Sequence, residues 1–194
     1  MPQDEIVFDI ETKKAFAEVG GKFDFASLGV SIIGLYSYAE DSYLTFDETS
    51  LDQFVLRLKN ARRVIGYNIK HFDYQVLQGH VSEFSFKSLP TLDLMEETAK
   101  ALGFRPKLND LAKGTLGVEK SGRGMDAIRW YQEGKIEEIK KYCLDDVRLT
   151  KDLFEFGVSH GYLMIEQGIA RTLLRIPVSW QKLVEEKAVQ HSLF

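Results

Sequence analysis

The chain has 194 residues, 44% of them hydrophobic, with 25 Lys plus Arg against 29 Asp plus Glu for a net charge of −4. That length suits one sizeable domain with its own core, and the acidic balance argues against gripping nucleic acid by bulk electrostatics, so any such contact has to be local or carried by bound cations. A single cysteine, Cys143, excludes an intramolecular disulfide framework, and the four histidines lack zinc-ligand spacing. Neither a membrane span nor a signal-like start is legible, so the expectation is a cytoplasmic protein with no membrane partner.

In chain order, Ile6 to Glu11 alternates with the period of a strand. After a loop holding Gly20 and Gly21, the runs Leu28 to Tyr38 and Tyr43 to Phe46 predict an antiparallel hairpin turning at Ala39-Glu40-Asp41. Ser50-Leu51-Asp52-Gln53 matches a capping box, and Leu51, Phe54, Val55 and Leu58 follow it at helical spacing. A short strand over Val64 to Tyr67 and a helix from about Lys70 to Leu77 come next. From Thr91 to Gly134 the pattern predicts short helices broken by Gly103, Pro106, Gly117 and the loop Lys120 to Gly124. The clearest helix runs from about Ile136 to Phe156, its apolar face set by Ile136, Ile139, Cys143, Val147 and Phe154. Two β-like runs, Tyr162 to Ile165 and Leu173 to Val178, flank Gly168, and a short helix is expected after Ser179. Strands first and mixed helices after predict an α/β fold, a mixed sheet flanked by helices.

Three groups of acids stand out. Asp9 and Glu11 are two apart on a strand and so share one face, leaving Phe8 and Ile10 to the other. Two acids on a face that a sheet would bury are costly unless a cation pairs them, and a hard divalent ion does so well; a lone pair of this kind reads more simply as solvated acids on an exposed edge. Asp73, early in its helix after Gly66-Tyr67-Asn68 and His71-Phe72, reads equally as a first-turn charge. Tyr142 and Asp146 are i and i+4 on the long helix, side by side and flanking its apolar stripe. Asp145 beside them reads as a solvated acid, and Tyr142 taken alone could be core.

The segments Phe8-Asp-Ile-Glu-Thr12, Asn68-x-x-His-Phe-Asp73 and Tyr142-x-x-x-Asp146 resemble, in order, the three motifs of the DnaQ-like 3′→5′ exonuclease superfamily. The histidine branch of that superfamily carries a His five residues before the last acid; Lys141 stands there, so the tyrosine branch is indicated. The wider chain, from about Ile6 to Gly161, is similar to bacterial ribonuclease H-like domains of the YprB type. The resemblance implies a ribonuclease H-like mixed sheet of about five strands over residues 1–160, with 161–194 as a C-terminal β-like and helical extension packed on the same domain. It implies Asp9, Glu11, Asp73 and Asp146 around two divalent cations, Mg²⁺ or Mn²⁺, about 3.5–4 Å apart, with Asp9 bridging both.

The expected chemistry is hydrolysis of the terminal phosphodiester of a single-stranded DNA or RNA 3′ end, with Tyr142 hydrogen-bonding the attacking water. A helicase or another DNA-processing protein is the implied companion. Around these residues, Thr12 and Asn68 are candidates to touch the terminal nucleotide, Phe72 and Tyr67 to stack on a base, and Arg123 to hold a phosphate. For Phe72 a core role is favoured, for Arg123 a surface one, and Asp93 is expected to cap the following helix. Two other functions fit the same residues: an endonuclease of the broader ribonuclease H-like fold, and a non-catalytic nucleic-acid-binding module that serves a helicase.

Overall fold

The computed structural model describes residues 4–21, 23–119, 124–167 and 172–181. Arg123, most of the Lys120 to Gly124 loop, Gly168 and the segment after Gln181 lie outside the described residues. A five-stranded sheet is built from β1 (Asp4–Thr12), β2 (Val30–Ser37), β3 (Ser42–Phe46), β4 (Ala61–Gly66) and β5 (Thr91–Asp93), in the order β3-β2-β1-β4-β5. The pairs β1–β2 and β2–β3 are antiparallel, and β1–β4 and β4–β5 are parallel, so the sheet is mixed as expected. The expected hairpin is present, with Asp41 in the left-handed region at its turn. β5 was not legible, because a three-residue strand is too short to declare an alternation.

The β1 sequence sorts its side chains between two layers. Ile6, Phe8 and Ile10 join a core with Ile33, Leu35 and the buried faces of α1 (Leu51–Lys59) and α2 (Asp73–Gln78). Val7 joins the opposite core, made by α3 (Leu94–Leu102), α4 (Leu108–Leu116) and α6 (Ile136–His160), while α5 (Gly124–Gln132) packs beside Tyr142 and Cys143 of α6. α6 has 25 residues and runs further than the predicted helix; at 1.5 Å per residue that is about 37 Å. It ends at Gly161, left-handed at φ 73°.

Two predicted helix starts are corrected. The expected capping box at Ser50 does not form on α1, because the Ser50 hydroxyl already accepts from the Asp47 N–H at 2.9 Å in a box that closes the preceding 3₁₀ turn. α2 begins at Asp73 and not near Lys70. Asn68 is left-handed at φ 68°, and residues 68–72 form a turn that a helix cannot enter.

β6 (Tyr162–Gln167) and β7 (Thr172–Pro177) form a separate antiparallel pair. Leu163, Ile165, Ile176 and Trp180 are buried in the same core as α4 and α6. The approach needs Gly114: a Cβ there would lie 2.6 Å from the Met164 carbonyl oxygen. Among the described residues no helix is long and apolar enough to cross a membrane.

Candidate active site

Asp9 and Glu11 project from the α6 face of β1, as their two-residue spacing predicts, and Asp146 projects toward them from α6. One carboxylate oxygen from each of Asp9, Glu11 and Asp146 falls in a group whose members all lie within 4.8 Å of one another. Glu11 and Asp146 are buried and Asp9 is half-buried. Three carboxylates at that spacing repel one another unless protonated or joined by a cation. An all-oxygen donor set suits a hard ion such as Mg²⁺ or Mn²⁺.

The close approach of α6 to the sheet depends on Gly34 of β2, which pairs with Asp9 of β1. A Cβ on Gly34 would stand 3.0 Å from Cys143 Sγ, 3.1 Å from Val147 Cγ2 and 3.3 Å from the Cys143 backbone carbon. Cys143 occupies the space so created. Its thiol donates to the Asp9 carbonyl at 3.4 Å and lies 3.9 Å from Asp9 Oδ2. Burial, then the charges of Asp9, Glu11 and Asp146, push that thiol well above its ordinary range. That shift keeps the thiol a neutral S–H when no cation is bound, and a thiol is a poor ligand for a hard ion.

Asp73 stands beside this group and not within it. It is buried at the start of α2, where its Oδ1 accepts the Ile10 N–H, between the two β1 acids, at 3.1 Å. Burial pushes its carboxyl up to about 8, with the charge of Asp93 adding to the shift. Tyr142 is buried, with its ring edge-on to Trp130 at 6.0 Å between centroids. Asp145 forms the outward-facing ion pair with Arg148 at 3.4 Å.

The loop that carries Asn68 is held by a residue whose reach the sequence did not reveal. Asp93 is buried and caps α3 as expected, accepting from the Met95 and Glu96 N–H groups at 3.1 and 3.2 Å. It also accepts from Asn68 N at 2.9 Å and Lys70 N at 3.0 Å. One carboxylate thus ties the 68–72 turn to the ends of β5 and α3, and sets where α2 and Asp73 begin. A capping pattern signals the local pair of bonds, whereas the other two cross 25 and 23 residues of sequence.

The remaining predicted contacts are placed less decisively. Thr12 is buried and its hydroxyl donates to the Lys14 carbonyl at 3.0 Å. Phe72 is half-buried and packs edge-on against Phe16 and Phe25, both at 6.1 Å, which gives it the favoured core role. The Tyr67 hydroxyl donates to the Pro106 carbonyl at 2.8 Å.

Comparison with known proteins agrees with this layout. No match is found among curated proteins. Among solved structures, the chain is similar to the family B DNA polymerase from the hyperthermophilic archaeon Pyrobaculum calidifontis, with a TM-score of 0.62 at 18% identity over 81% of this chain. The match covers 25% of the polymerase chain, so the likeness is one of fold. The family model of the RNase H superfamily matches residues 6–156, from the strand bearing Asp9 and Glu11 through the helix bearing Asp146. With its mixed five-stranded sheet and flanking helices, the chain belongs to the RNase H superfamily.

Proposed function

We propose that this protein is a metal-dependent 3′→5′ exonuclease of the DnaQ-like tyrosine branch, releasing nucleoside 5′-monophosphates from single-stranded nucleic acid. The observation that carries the reading is the convergence of Asp9, Glu11 and Asp146 from β1 and α6 onto one point. Superfamily membership supports nuclease chemistry, and the order and spacing of the three motifs support the exonuclease branch.

Asp9, Glu11 and Asp146 would hold divalent cations, with Asp73 completing the set once it gives up its proton. Bound there, such ions neutralise the phosphodiester and make water a better nucleophile. The residues of the chain do the positioning. Tyr142, one helical turn from Asp146, orients the attacking water through its hydroxyl. Asn68 and Thr12, at the C-terminal ends of β4 and β1, flank the terminal nucleotide. A net charge of −4 is compatible with this substrate because bound cations reverse the local field.

Digestion of a 5′-labelled linear single strand beside a circular one of the same sequence, with Mn²⁺, tests the proposal. An exonuclease shortens the linear strand stepwise from its 3′ end and leaves the circle intact. Cleavage of both would identify an endonuclease, and retention of both without cleavage a binding module; either result overturns the proposal.

A further inference from the structure

The connection between α3 and α4, Gly103-Phe104-Arg105-Pro106-Lys107, has no part in the acid cluster, yet it is bonded to the loop beside it. The Arg105 guanidinium donates to Asn68 Oδ1, and the Tyr67 hydroxyl donates to the Pro106 carbonyl at 2.8 Å. Asn68 is fixed in turn, through its N–H to Asp93 and its left-handed backbone. Five residues on, at the start of α2, Asp73 reaches Ile10 between Asp9 and Glu11. The connection is therefore bonded to the start of the chain segment that leads into Asp73, whose carboxylate reaches β1 between Asp9 and Glu11.

What the connection presents to solvent is unusual for an acidic protein. From Gly103 to Leu108 it carries two cations and no acid. Arg105 and Lys107 are exposed, and Phe104 between the helices is 45% exposed, a large ring left facing water. Pro106 and the Tyr67 bond hold the backbone, so these side chains stand on a fixed support and not on a free loop. Two cations beside an exposed aromatic ring match the repeating chemistry of a single strand, phosphate and base.

We propose that Phe104, Arg105 and Lys107 form a strand-holding rim. Arg105 and Lys107 take the phosphates of nucleotides upstream of the one removed, and Phe104 stacks on a base. The partner is single-stranded nucleic acid, and the inference rests on the nuclease reading above. It assigns the local contact that a chain of this net charge requires. Arg105 has a further duty, since its bond to Asn68 couples the seated strand to the loop beside the acids.

Binding of a 5′-fluorescein 12-nucleotide single strand, followed by anisotropy in Ca²⁺ across a salt series, tests the rim without turnover. Each phosphate contact on a single strand contributes about 0.7 to the slope of log affinity against log salt. Arg105→Ala and Lys107→Ala are each expected to flatten the slope by about 0.7, and Arg105→Lys, which keeps the charge, to retain it. Phe104→Ala is expected to weaken binding by about five- to a hundredfold with the slope preserved. A purely structural role would lower melting temperature and leave the slope alone. Wild-type affinity and slope in all of these variants would overturn the rim, as would a wild-type protein that does not bind the strand. Hydrolysis of the same strand in Mn²⁺ judges the nuclease reading separately, since a protein that binds through the rim but never cleaves would refute that reading alone.

Discussion

Asp73 links protonation to stability and, in the proposed function, to activity. Its carboxyl is pushed up to about 8 by burial, whereas in the unfolded chain it titrates near its ordinary value of 3.8. Between those values the metal-free native state holds a proton that the unfolded state has lost, so this group makes stability fall as pH rises from about 4 to 8. Asp73→Asn keeps an acceptor for Ile10 and has no proton to lose. The variant is therefore expected to melt about 10–20 °C higher than the wild type at pH 8 without metal, the gap closing toward pH 4, while losing most hydrolysis. Melting curves across that range in chelator check this, and a gap independent of pH would contradict it. Tyr142→Phe is expected to lower single-turnover rate by about ten- to a thousandfold with strand binding little changed, and Tyr142→Ala to lower melting temperature as well by opening space beside Trp130. A wild-type chemical step in Tyr142→Phe would leave this residue a core role alone. The shared face of Asp9 and Glu11 and the placement of Asp146 on α6 were legible because the spacings that set them are local: i, i+2 on a strand and i, i+4 from Tyr142 on a helix. The wider reach of Asp93 was not, because two of its four backbone bonds cross to a loop more than 20 residues away.

At the scale of elements, the site exists because α6 lies close against β1. Gly34 of β2, beside Asp9, leaves room for Cys143 and Val147 of α6, and its importance was hidden in an apolar run where glycine looks like a weakness. Gly34→Ala pushes against Cys143 and Val147 and moves the helix bearing Asp146 away from Asp9. The expected cost is about 1–3 kcal/mol of stability, with a loss of turnover larger than that of a distant variant equally destabilised. Removing the nearest obstacle in the double variant Gly34→Ala, Cys143→Ala is expected to restore part of both. Chemical denaturation and single-turnover rates on the three variants provide the check, and a wild-type rate in Gly34→Ala would show that the helix has room to spare. Periodicity found the hairpin and α6 well. It misplaced the start of α2, where the left-handed Asn68 and the bonds from Asp93 decide the boundary, and it missed β5, which is recognisable by its pairing with β4 and not by pattern.

At the scale of the whole molecule, the proposed function has to reconcile a net charge of −4 with an anionic substrate. Among the described residues the ion pairs are mostly local and partly exposed, such as Lys100 with Glu97 and Lys140 with Glu137, both at i, i+3, so many of those cations are already engaged. Strand affinity in Ca²⁺ is therefore expected to fall only gently with salt, with a slope no steeper than about −3, as few phosphate contacts allow. A steep slope would mean a basic groove assembled from distant segments. β6 and β7 were legible as β-like runs, but their docking depends on Gly114 of α4 meeting Met164, about 50 residues further on, which no local pattern signals. The claim on which everything else depends is that Asp9, Glu11, Asp73 and Asp146 act as one metal-dependent centre. Stepwise shortening of a 5′-labelled single strand by the wild type and by Asp9→Asn, with Mn²⁺ and with excess chelator, tests it most directly. The account predicts hydrolysis by the wild type in Mn²⁺, none in chelator, and at least about a hundredfold loss in a folded Asp9→Asn variant; full activity in chelator, or a wild-type rate in Asp9→Asn, would contradict it.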